Sequence, residues 1–259
     1  IRSHVLGIAG HRGRLQAAGQ HLKRGVLLYG PPGTGKTHTV RHLLSESPGT
    51  TAVLLTGAAL GAISQAASLA RAMAPSLVVL EDIDLVAEDR SMGHGPQPLL
   101  FQVLDALDGL DADADIAFIM TTNRVDILEP ALAQRPGRVD LAVEIPLPGS
   151  ADRVRLMELY APAGVFSPGA LAAVAEQADG ATASFARELV RRAILAAAEA
   201  GEGPADGHLL AAAADLSGQR EAMTRSLLGG TDPSAGFTAN GAGPSSAGPG
   251  PGWEYGPLR

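Results

Sequence analysis

The sequence predicts an α/β fold, in which a three-layer sandwich around a parallel sheet precedes a small all-α domain. Short apolar runs rich in Val, Leu and Ile alternate with helical patterns between residues 26 and 145. Runs without regular polar alternation are typical of strands buried on both faces, and the helices between them then cover both sides of the sheet. After residue 149 the strand pattern stops, and only helical patterns punctuated by glycine continue.

The apolar runs and helical periods predict the following elements in chain order. Strands are expected at 26–29, 51–55, 77–80, 116–121 and 141–145. Helices are expected between them at 37–44, 63–73, 98–107 and 128–133, and afterwards at 151–159, 168–177, 184–200 and 208–216. These elements divide the chain into a lead-in at 1–24, an α/β domain at 25–149, a helical domain at 150–228 and a tail at 229–259.

The two ends of the chain carry separate expectations. The tail is dominated by Gly, Pro, Ser and Ala. So little apolar surface cannot offset the entropy lost on ordering, and this predicts disorder. The first residue is Ile1 rather than Met, so we expect the chain to be a fragment of a longer protein.

The composition excludes several classes of protein. The chain has 259 residues, no Cys and a formal net charge of −7. Without Cys it has neither disulfides nor thiolate metal sites, which fits a reducing compartment, and we expect a cytoplasmic protein. The acidic balance argues against nucleic acid as a partner. No apolar run approaches the roughly 20 residues that cross a bilayer, so no membrane segment is expected.

The strongest local signal is the stretch GPPGTGKT, which begins at Gly30 and fits the pattern G-x-x-x-x-G-K-[ST]. It follows a predicted strand and opens a predicted helix, where glycines let backbone N–H groups and the positive helix end face an anion. Lys36 is expected to reach the β and γ phosphates of ATP, and Thr37 to offer its hydroxyl to Mg²⁺. We assign nucleotide binding to Gly30, Pro31, Pro32, Gly33, Thr34, Gly35, Lys36, Thr37 and the adjoining His38.

Two acidic residues, Glu81 and Asp82, follow a predicted buried strand. Carboxylates at the carboxyl end of a strand lie where open α/β sheets bind their ligands. Taken alone, such a pair is as often a solvated turn, but beside a phosphate-binding loop it predicts catalysis. One acid would then hold Mg²⁺ through water, and the other would orient or deprotonate an attacking water.

Two further polar stretches follow later strands. Thr121, Thr122 and Asn123 end the fourth predicted strand. A polar side chain there can hold the attacking water or sense the γ-phosphate, although Thr and Asn are also good helix caps. Arg135 and Arg138 flank a Pro-Gly turn, which presents both on a rigid loop. Arg is suited to stabilising charge on a phosphoryl group during transfer.

The order and spacing of these motifs, over about residues 22–200, resemble those of the AAA family of AAA+ P-loop ATPases. The stretch 121–138 is similar to the second region of homology of that family, which is highly specific. The resemblance implies that Asn123 is the sensor-1 residue and that Arg135 and Arg138 are arginine fingers acting on a neighbouring subunit. It also implies a P-loop NTPase core with a helical lid, in a homo-oligomeric ring, most often a hexamer, that couples ATP hydrolysis to remodelling a macromolecule.

The chain departs from the family pattern at three places. The family usually has Asp and then Glu after its acidic strand, so by position Glu81 takes the Mg²⁺ role and Asp82 the catalytic role. The segment 57–62 lacks the aromatic residue with which threading members grip a polypeptide. One extra residue lies between Pro130 and Arg135. Elsewhere, the stretch 180–184 resembles the sensor-2 region of the lid, near adenine and ribose, in the form that lacks an Arg.

Four functions compete for this set of residues. We expect an oligomeric ATPase that remodels a protein partner, because a full set of hydrolysis residues is present. A slow nucleotide-gated assembly scaffold is the alternative. It is supported by the Glu81–Asp82 order and by the absence of an aromatic residue from the segment 57–62. A nucleic-acid remodeller is disfavoured by the negative charge. A small-molecule kinase would need neither the arginine pair nor an all-α lid of this length.

Overall fold

The computed structural model describes residues 1–84, 114–124 and 139–227, with side chains described as far as residue 219. The predicted helices at 98–107 and 128–133, the predicted disordered tail, and the arginine pair Arg135 and Arg138 lie outside the described residues. Within the described ranges, no helix is both long enough and apolar enough to cross a membrane.

All five strands predicted from the sequence are confirmed. They are β1 (Arg24–Tyr29), β2 (Thr51–Thr56), β3 (Ser76–Glu81), β4 (Ile116–Thr122) and β5 (Leu141–Glu144). Among the described residues they form one sheet in the order β2-β3-β4-β1-β5, and every neighbouring pair is parallel. The predicted parallel sheet is therefore correct, and its strand ends differ from the predicted ones by no more than two residues.

Because all the strands are parallel, their carboxyl ends meet at one edge of the sheet. Tyr29 of β1 is in register with Thr122 of β4 and with Glu144 of β5. β3 is in register with β4 as far as the pair Leu80 and Met120. We call this side of the sheet the carboxyl edge; the residues that follow β1, β3, β4 and β5 there are Gly30, Asp82, Asn123 and Ile145.

The first 24 residues contain short helical segments, namely the π-helical turn Ser3–Gly7, the turn Ile8–Gly10 and α1 (Arg12–Ala17). Val5 is only 1% exposed. It belongs to the apolar core on one face of the sheet, together with Val26 of β1. The predicted lead-in is therefore packed against the sheet.

Helices cover both faces of the sheet, which confirms the predicted sandwich. α2 (Lys36–Ser45) buries Val40 and Leu43 in the core of one face. α3 (Ile63–Ala72) covers the opposite face with several alanines, after the 3₁₀ helix Gly57–Ala62. Small side chains let α3 approach the sheet closely, so a chain with 3% aromatic residues still forms a close-packed core.

The prediction that every strand is buried on both faces is wrong for two strands, β2 and β5. β1, β3 and β4 are buried along nearly their whole length, whereas β2 and β5 largely alternate between half-buried and exposed residues. β2 and β5 are the outer strands of the described sheet, so each has a strand neighbour on one side alone. Leu54 of β2 is accordingly 52% exposed. An apolar run alone does not reveal whether its strand is a central or an outer strand of the sheet.

After β5 the described chain is helical, which confirms the four helices predicted there. They are α4 (Ser150–Tyr160), α5 (Pro168–Gln177), α6 (Ala183–Glu199) and α7 (Asp206–Leu227). These helices share an apolar core distinct from the two cores of the sheet. The starts of α5 and α6 are encoded locally, because the hydroxyls of Ser167 and Thr182 accept backbone N–H groups of the first helical turn.

Candidate functional site

The loop between β1 and α2 crosses the carboxyl edge of the sheet, and its glycines allow its path. Gly30, Gly33 and Gly35 have φ angles of 142°, 75° and 115°, in a region that residues with side chains rarely adopt. A Cβ atom at Gly30 would run into the carbonyl oxygen of Ile145, which follows β5. The loop therefore passes so close to the end of β5 that only glycine fits there.

Lys36, the first residue of α2, folds its side chain back over this loop. Its ammonium donates to the carbonyls of Gly30 at 2.7 Å and Pro31 at 2.9 Å. Burial lowers the pKa of Lys36, while the carboxylates of Asp82 and Asp84 act in the opposite direction. The charge of Lys36 is thus held at the carboxyl edge, shielded from water and influenced by two acids.

Asp82 follows β3 in a backbone conformation that is unusual for a residue with a side chain. Its φ angle is +50°, and this left-handed region costs about 1 kcal/mol. Hydrogen bonds from the turn to β4 offset that cost. The Asp82 N–H donates to Thr121 Oγ1 at 3.0 Å, and the Ile83 N–H donates to the Thr121 carbonyl at 3.1 Å. Asp82 Oδ1 in turn accepts Asn123 Nδ2 at 3.4 Å, so two predicted site residues are in contact.

A third acid, Asp84, is only 5% exposed and also bonds to the end of β4. Its Oδ1 accepts the Thr122 hydroxyl at 3.0 Å and the Asn123 N–H at 3.1 Å. Its Oδ2 accepts Asn123 Nδ2 at 3.4 Å. Side-chain hydrogen bonds therefore join the segments after β3 and β4, beyond the point where the sheet ladder ends.

The first turn of α6 contacts the loop between β1 and α2. The Ser184 N–H donates to the Gly33 carbonyl at 3.1 Å, and the Ser184 hydroxyl donates to the same oxygen at 3.4 Å. A Cβ atom at Gly33 would come within 3.0 Å of Thr182 Oγ1 and 3.1 Å of Ser184 Oγ. Gly33 is thus the point where the helical region rests on the loop, and a larger residue requires a shift there.

A cavity of about 350 Å³ lies between the loop, the strand ends and the helical region. Its wall combines three cations (Lys36, Arg41 and Arg187), hydroxyl groups, a carboxylate and an amide, which suits a charged and polar ligand better than an apolar one. The sheet side contributes Lys36, Thr37, His38, Asp82 and Asn123, and the helical side contributes Tyr160, Ser184 and Arg187.

Arg187 is a cation that the sequence did not predict for this site, since the resemblance implied a lid without one. The hydrogen bond between Ser184 and Gly33 fixes the start of α6 against the loop. Arg187 comes three residues after Ser184, which places the two side chains on neighbouring positions of one helix face. The side chain of Arg187 is exposed, and within the described part of the chain it has no ion-pair partner.

The remaining predicted site residues divide into those that line the cavity and those that build its surroundings. Gly30, Pro31 and Thr34 shape the loop, where Thr34 Oγ1 donates to the Pro31 carbonyl at 2.9 Å. Glu81 is half-buried at the end of β3 and lies outside the described cavity lining. The predicted residues Pro32, Gly33 and Gly35 line the cavity together with those already named.

Four cavity or neighbouring residues, Arg41, Asp84, Tyr160 and Arg187, were missed by the sequence analysis. Arg41 lines the cavity from α2, the helix that the phosphate-binding motif opens. Asp84 carries a local signal, because it is the third acid within four residues at the end of a buried strand. Tyr160 and Arg187 carry none, because they reach the cavity through the packing of α4 and α6 against the loop.

The donors at the carboxyl edge suit a hard divalent cation such as Mg²⁺. The Thr37 hydroxyl and the Asp82 carboxylate line the cavity, and Glu81 ends the same strand that precedes Asp82. Among the described residues, no cluster of three or more His, Asp or Glu could hold a metal by itself. Mg²⁺ commonly takes one or two carboxylates together with phosphate oxygens and waters, so this donor set fits Mg²⁺ bound with a nucleotide.

A glycine-bearing loop that leads from a buried strand to a helix, with a lysine at the helix start and acids after a neighbouring strand, defines a P-loop nucleotide-binding domain. Residues 26–147 also match the model of the ATPase family associated with various cellular activities, AAA. This part of the chain therefore belongs to the AAA family of AAA+ ATPases, and the resemblance inferred from the motifs is confirmed.

The chain is similar to subunits and activators of proteasomes. A 26S proteasome regulatory subunit 8 homolog of Schizosaccharomyces pombe is 33% identical over 187 residues, which are 66% of this chain and 46% of that protein. The 26S proteasome regulatory subunit 10B of Dictyostelium discoideum is 35% identical over 185 residues, 66% and 47% of the two chains. The proteasome-activating nucleotidase of Archaeoglobus fulgidus is 34% identical over 150 residues, 53% and 37% of the two chains. The matched part spans less than half the length of each of these relatives.

Proposed function

We propose that this chain is an ATP-hydrolysing AAA+ domain, and that a homo-oligomeric, hexameric ring of it couples hydrolysis to remodelling of a protein partner. The observation that carries the proposal is the cavity at the carboxyl edge, where Lys36, Asp82 and Asn123 lie beside the loop at 30–37. The membership of residues 26–147 in the AAA family supports the same activity.

The loop and the first turn of α2 bind the phosphates. The start of α2 presents the positive end of a helix, to which Lys36 adds a full charge. Lys36 exchanges its bonds to the Gly30 and Pro31 carbonyls for a phosphate oxygen, which is the stronger acceptor because it is charged. Thr37 and, through water, Glu81 would hold Mg²⁺, which would neutralise charge on the phosphates.

Asp82 positions the water that attacks the γ-phosphorus and takes its proton. The new P–O bond forms as the bond from the γ-phosphorus to the β–γ bridging oxygen breaks, and that oxygen leaves with ADP. The contact between Asn123 Nδ2 and Asp82 Oδ1 supports this role, because it holds the carboxylate in place within the cavity. Asp82 stands where the family usually has the longer Glu, and its left-handed backbone sets a different starting point for the side chain.

The helical region completes the site and receives the signal of hydrolysis. Arg187 contacts the phosphates from α6, while the Ser184–Gly33 hydrogen bond ties α6 to the loop. We retain the division into an α/β domain at 25–149 and a helical domain at 150–228, which the separate apolar cores support. When the γ-phosphate is lost, Arg187 loses part of its contact with the nucleotide, and the helical domain can then move.

The oligomer and the partner follow from the family. Arg135 and Arg138, assigned from the sequence, act on the nucleotide of the neighbouring subunit. Relatives named as proteasome regulatory subunits and as a proteasome-activating nucleotidase support a protein partner, and the net charge of −7 supports the same choice over nucleic acid. We place the protein in the cytoplasm on the basis of its Cys-free composition.

The segment 57–62 supports remodelling without an aromatic grip on an extended polypeptide. It forms the 3₁₀ helix Gly57–Ala62, which consists of Gly, Ala and one Leu. That residue, Leu60, is 1% exposed and belongs to the core of the sheet. No long side chain of this segment is free to hold a polypeptide, so threading is not included in the proposal.

Phosphate release, measured against protein concentration with Mg²⁺ and ATP, tests the proposal. We expect specific activity to rise steeply with concentration, because the active site is completed across subunits. Asp82→Asn should bind ATP as the unchanged chain does and release almost no phosphate. Tight ATP binding without turnover by the unchanged chain at every concentration would contradict the proposal and leave the nucleotide-gated scaffold.

A mixing experiment tests the assignment of the arginine fingers separately. Arg138→Ala should bind ATP but lose most turnover, because the missing group serves the neighbouring subunit. The double variant Lys36→Ala, Asp82→Asn cannot hydrolyse ATP but retains Arg138. Activity recovered on mixing the two proteins supports action across subunits, and a mixture as inactive as its components argues against it.

A further inference from the structure

The Asn123 side chain is held by two carboxylates rather than one. Its Nδ2 lies 3.4 Å from Asp82 Oδ1 and 3.4 Å from Asp84 Oδ2. Both acceptors are carboxylate oxygens, so the nitrogen and not the oxygen of the Asn123 amide must face them. The two hydrogens of the amide nitrogen are then both used, and the orientation of the amide is fixed.

Asp84 also holds the backbone that carries Asn123. Its Oδ1 accepts the Asn123 N–H at 3.1 Å and the Thr122 hydroxyl at 3.0 Å. Asp84 is 5% exposed, so water hardly competes for these bonds. The main chain and the side chain of Asn123 are therefore positioned by the same buried carboxylate, which itself lies outside the described lining of the cavity.

We propose that Asp84 is a positioning residue, which orients the Asn123 amide and through it the Asp82 carboxylate for attack by water. The proposal rests on the proposed function, since it assigns a task in ATP hydrolysis. Asp84 lies outside the described lining of the cavity. Its loss should therefore lower kcat far more than it changes the affinity for nucleotide, which shifts only slightly because the Asp84 charge also acts on Lys36.

Asp84→Asn separates the two tasks of this carboxylate. The amide has the same shape, and its oxygen can still accept from Thr122 and from the Asn123 N–H. Its nitrogen replaces Oδ2 and carries only hydrogens, so it cannot accept Asn123 Nδ2. The hydrogen bond to the Asn123 side chain is therefore lost. The NH₂ group of the new Asn side chain and the NH₂ group of Asn123 face each other instead. We expect kcat to fall roughly tenfold or more, as for a lost hydrogen bond to a charged group, while the Kd for a fluorescent ATP analogue changes less than about twofold.

Asp140→Asn is the matched control, because Asp140 also uses a carboxylate to hold backbone. Asp140 Oδ2 accepts the Gly25 N–H at 2.7 Å, at the opposite end of the strands. We expect a small loss of stability from this variant and no change in kcat. Melting temperatures and analogue affinities of both variants show that the folded site persists.

A double-variant comparison tests whether Asp84 acts through Asn123. Asp84→Asn should lower kcat in the unchanged chain but cause no further loss in the Asn123→Ala background. If the two losses multiply instead, Asp84 acts independently of Asn123 and the proposal is overturned.

A spectroscopic readout keeps the test independent of turnover. The side-chain NH₂ signals of Asn123 are identified by their absence from the NMR spectrum of Asn123→Ala. Asp84→Asn should shift these signals and expose them to exchange with water, and Asp140→Asn should not. Signals that stay unmoved in Asp84→Asn overturn the proposal. A chain that shows the shift but hydrolyses no ATP refutes the proposed function and leaves the positioning contact in place.

Discussion

The two edges of the sheet both carry buried charge, but they use it differently. At the amino edge, where the strands begin, Arg24 is 4% exposed and donates to Asp115 Oδ1 at 2.8 Å and to the Leu22 carbonyl at 2.7 Å. At the carboxyl edge, Lys36 is 6% exposed and its nearest partners are carbonyls of its own loop. The amino-edge cation is neutralised by a carboxylate of the protein, and the carboxyl-edge cation lines a cavity.

Burial of a charged residue therefore does not by itself identify a functional site. A buried ion pair can serve the fold alone, and Arg24 with Asp115 fits that case because the Arg24 guanidinium bonds to Asp115 and to the Leu22 carbonyl of its own lead-in. The carboxyl edge differs because its buried cation, Lys36, itself lines a cavity together with an acid and an amide, whereas Arg24 is absent from the lining of the cavity beside Asp115. Substitutions at the amino edge should therefore change stability, and substitutions at the carboxyl edge should change nucleotide binding and turnover.

The largest expected effect is on stability at the amino edge. Arg24→Ala leaves the Asp115 carboxylate buried without its partner, which should lower the free energy of unfolding by about 3–5 kcal/mol. Arg12→Ala is the control, because Arg12 lies 3.9 Å from Asp115 Oδ2 and is 57% exposed, and it should cost less than about 1 kcal/mol. Urea denaturation measures both. Equal losses of unfolding free energy for the two variants would show that the buried ion pair of Arg24 and Asp115 contributes no more to stability than the exposed Arg12 does.

The next effect concerns nucleotide affinity at the carboxyl edge. Lys36→Ala removes the charge that binds phosphate and should weaken ATP binding by roughly a hundredfold, as for the loss of one or two hydrogen bonds to a charged group. Lys23→Ala, at the amino edge, should leave the affinity unchanged. Fluorescence titration with an ATP analogue measures both variants. Unchanged affinity in Lys36→Ala would mean that ATP binds elsewhere.

A matched pair of glycines separates backbone strain from contact with the helical region. Gly33 and Gly49 have similar φ angles of 75° and 72°, so alanine at either position should cost about 1 kcal/mol of stability. A Cβ at Gly33 meets Thr182 and Ser184, whereas a Cβ at Gly49 meets nothing within 4 Å. Gly33→Ala alone should also weaken ATP binding, by about tenfold if one hydrogen bond between loop and α6 is lost.

Thermal melting and analogue titration of the two glycine variants give the required comparison. Equal melting temperatures with a loss of affinity confined to Gly33→Ala would support the contact between the loop and the helical region. A loss of affinity in Gly49→Ala of the same size would show that general strain, and not that contact, controls binding.

The smallest expected effect belongs to Arg187. Arg187→Ala should weaken ATP binding by no more than about fivefold, because the side chain is exposed, and the effect should shrink as salt is added. Arg191→Ala on the same helix is the control. Arg191 and Arg192 donate hydrogen bonds to Glu188 and lower its pKa to about 2. Arg191 is therefore paired with Glu188, and it is absent from the described lining of the cavity. An equal change in affinity for both variants would remove Arg187 from the site.

The sequence predicted the parts of this site that lie close together in the chain. The loop at 30–37 and the acids after β3 are local patterns, and each follows a strand whose apolar run is easily recognised. The parallel sheet then brings Asp82 and Asn123 to one edge, but their contact depends on β3 and β4 being neighbours, which the sequence analysis did not predict.

The rest of the site depended on packing that no local pattern reports. Arg187 reaches the cavity because Ser184 bonds to Gly33, across 151 residues of sequence. The importance of Asp84 appears only once Thr122 and Asn123 are placed beside it in space. The exposure of β2 and β5 was mispredicted for a related reason, since strand order is decided by the whole sheet.

The assignment of the nucleotide site to the carboxyl edge can be checked in a single paired experiment. ATP binding and phosphate release are measured side by side for the unchanged chain, Lys36→Ala and Asp82→Asn, with Mg²⁺ present. We expect the unchanged chain to bind and hydrolyse ATP, Asp82→Asn to bind without hydrolysis, and Lys36→Ala to bind roughly a hundredfold more weakly and to release no phosphate. Hydrolysis by Asp82→Asn at the rate of the unchanged chain, or unchanged ATP affinity in Lys36→Ala, would contradict a nucleotide site at the carboxyl edge.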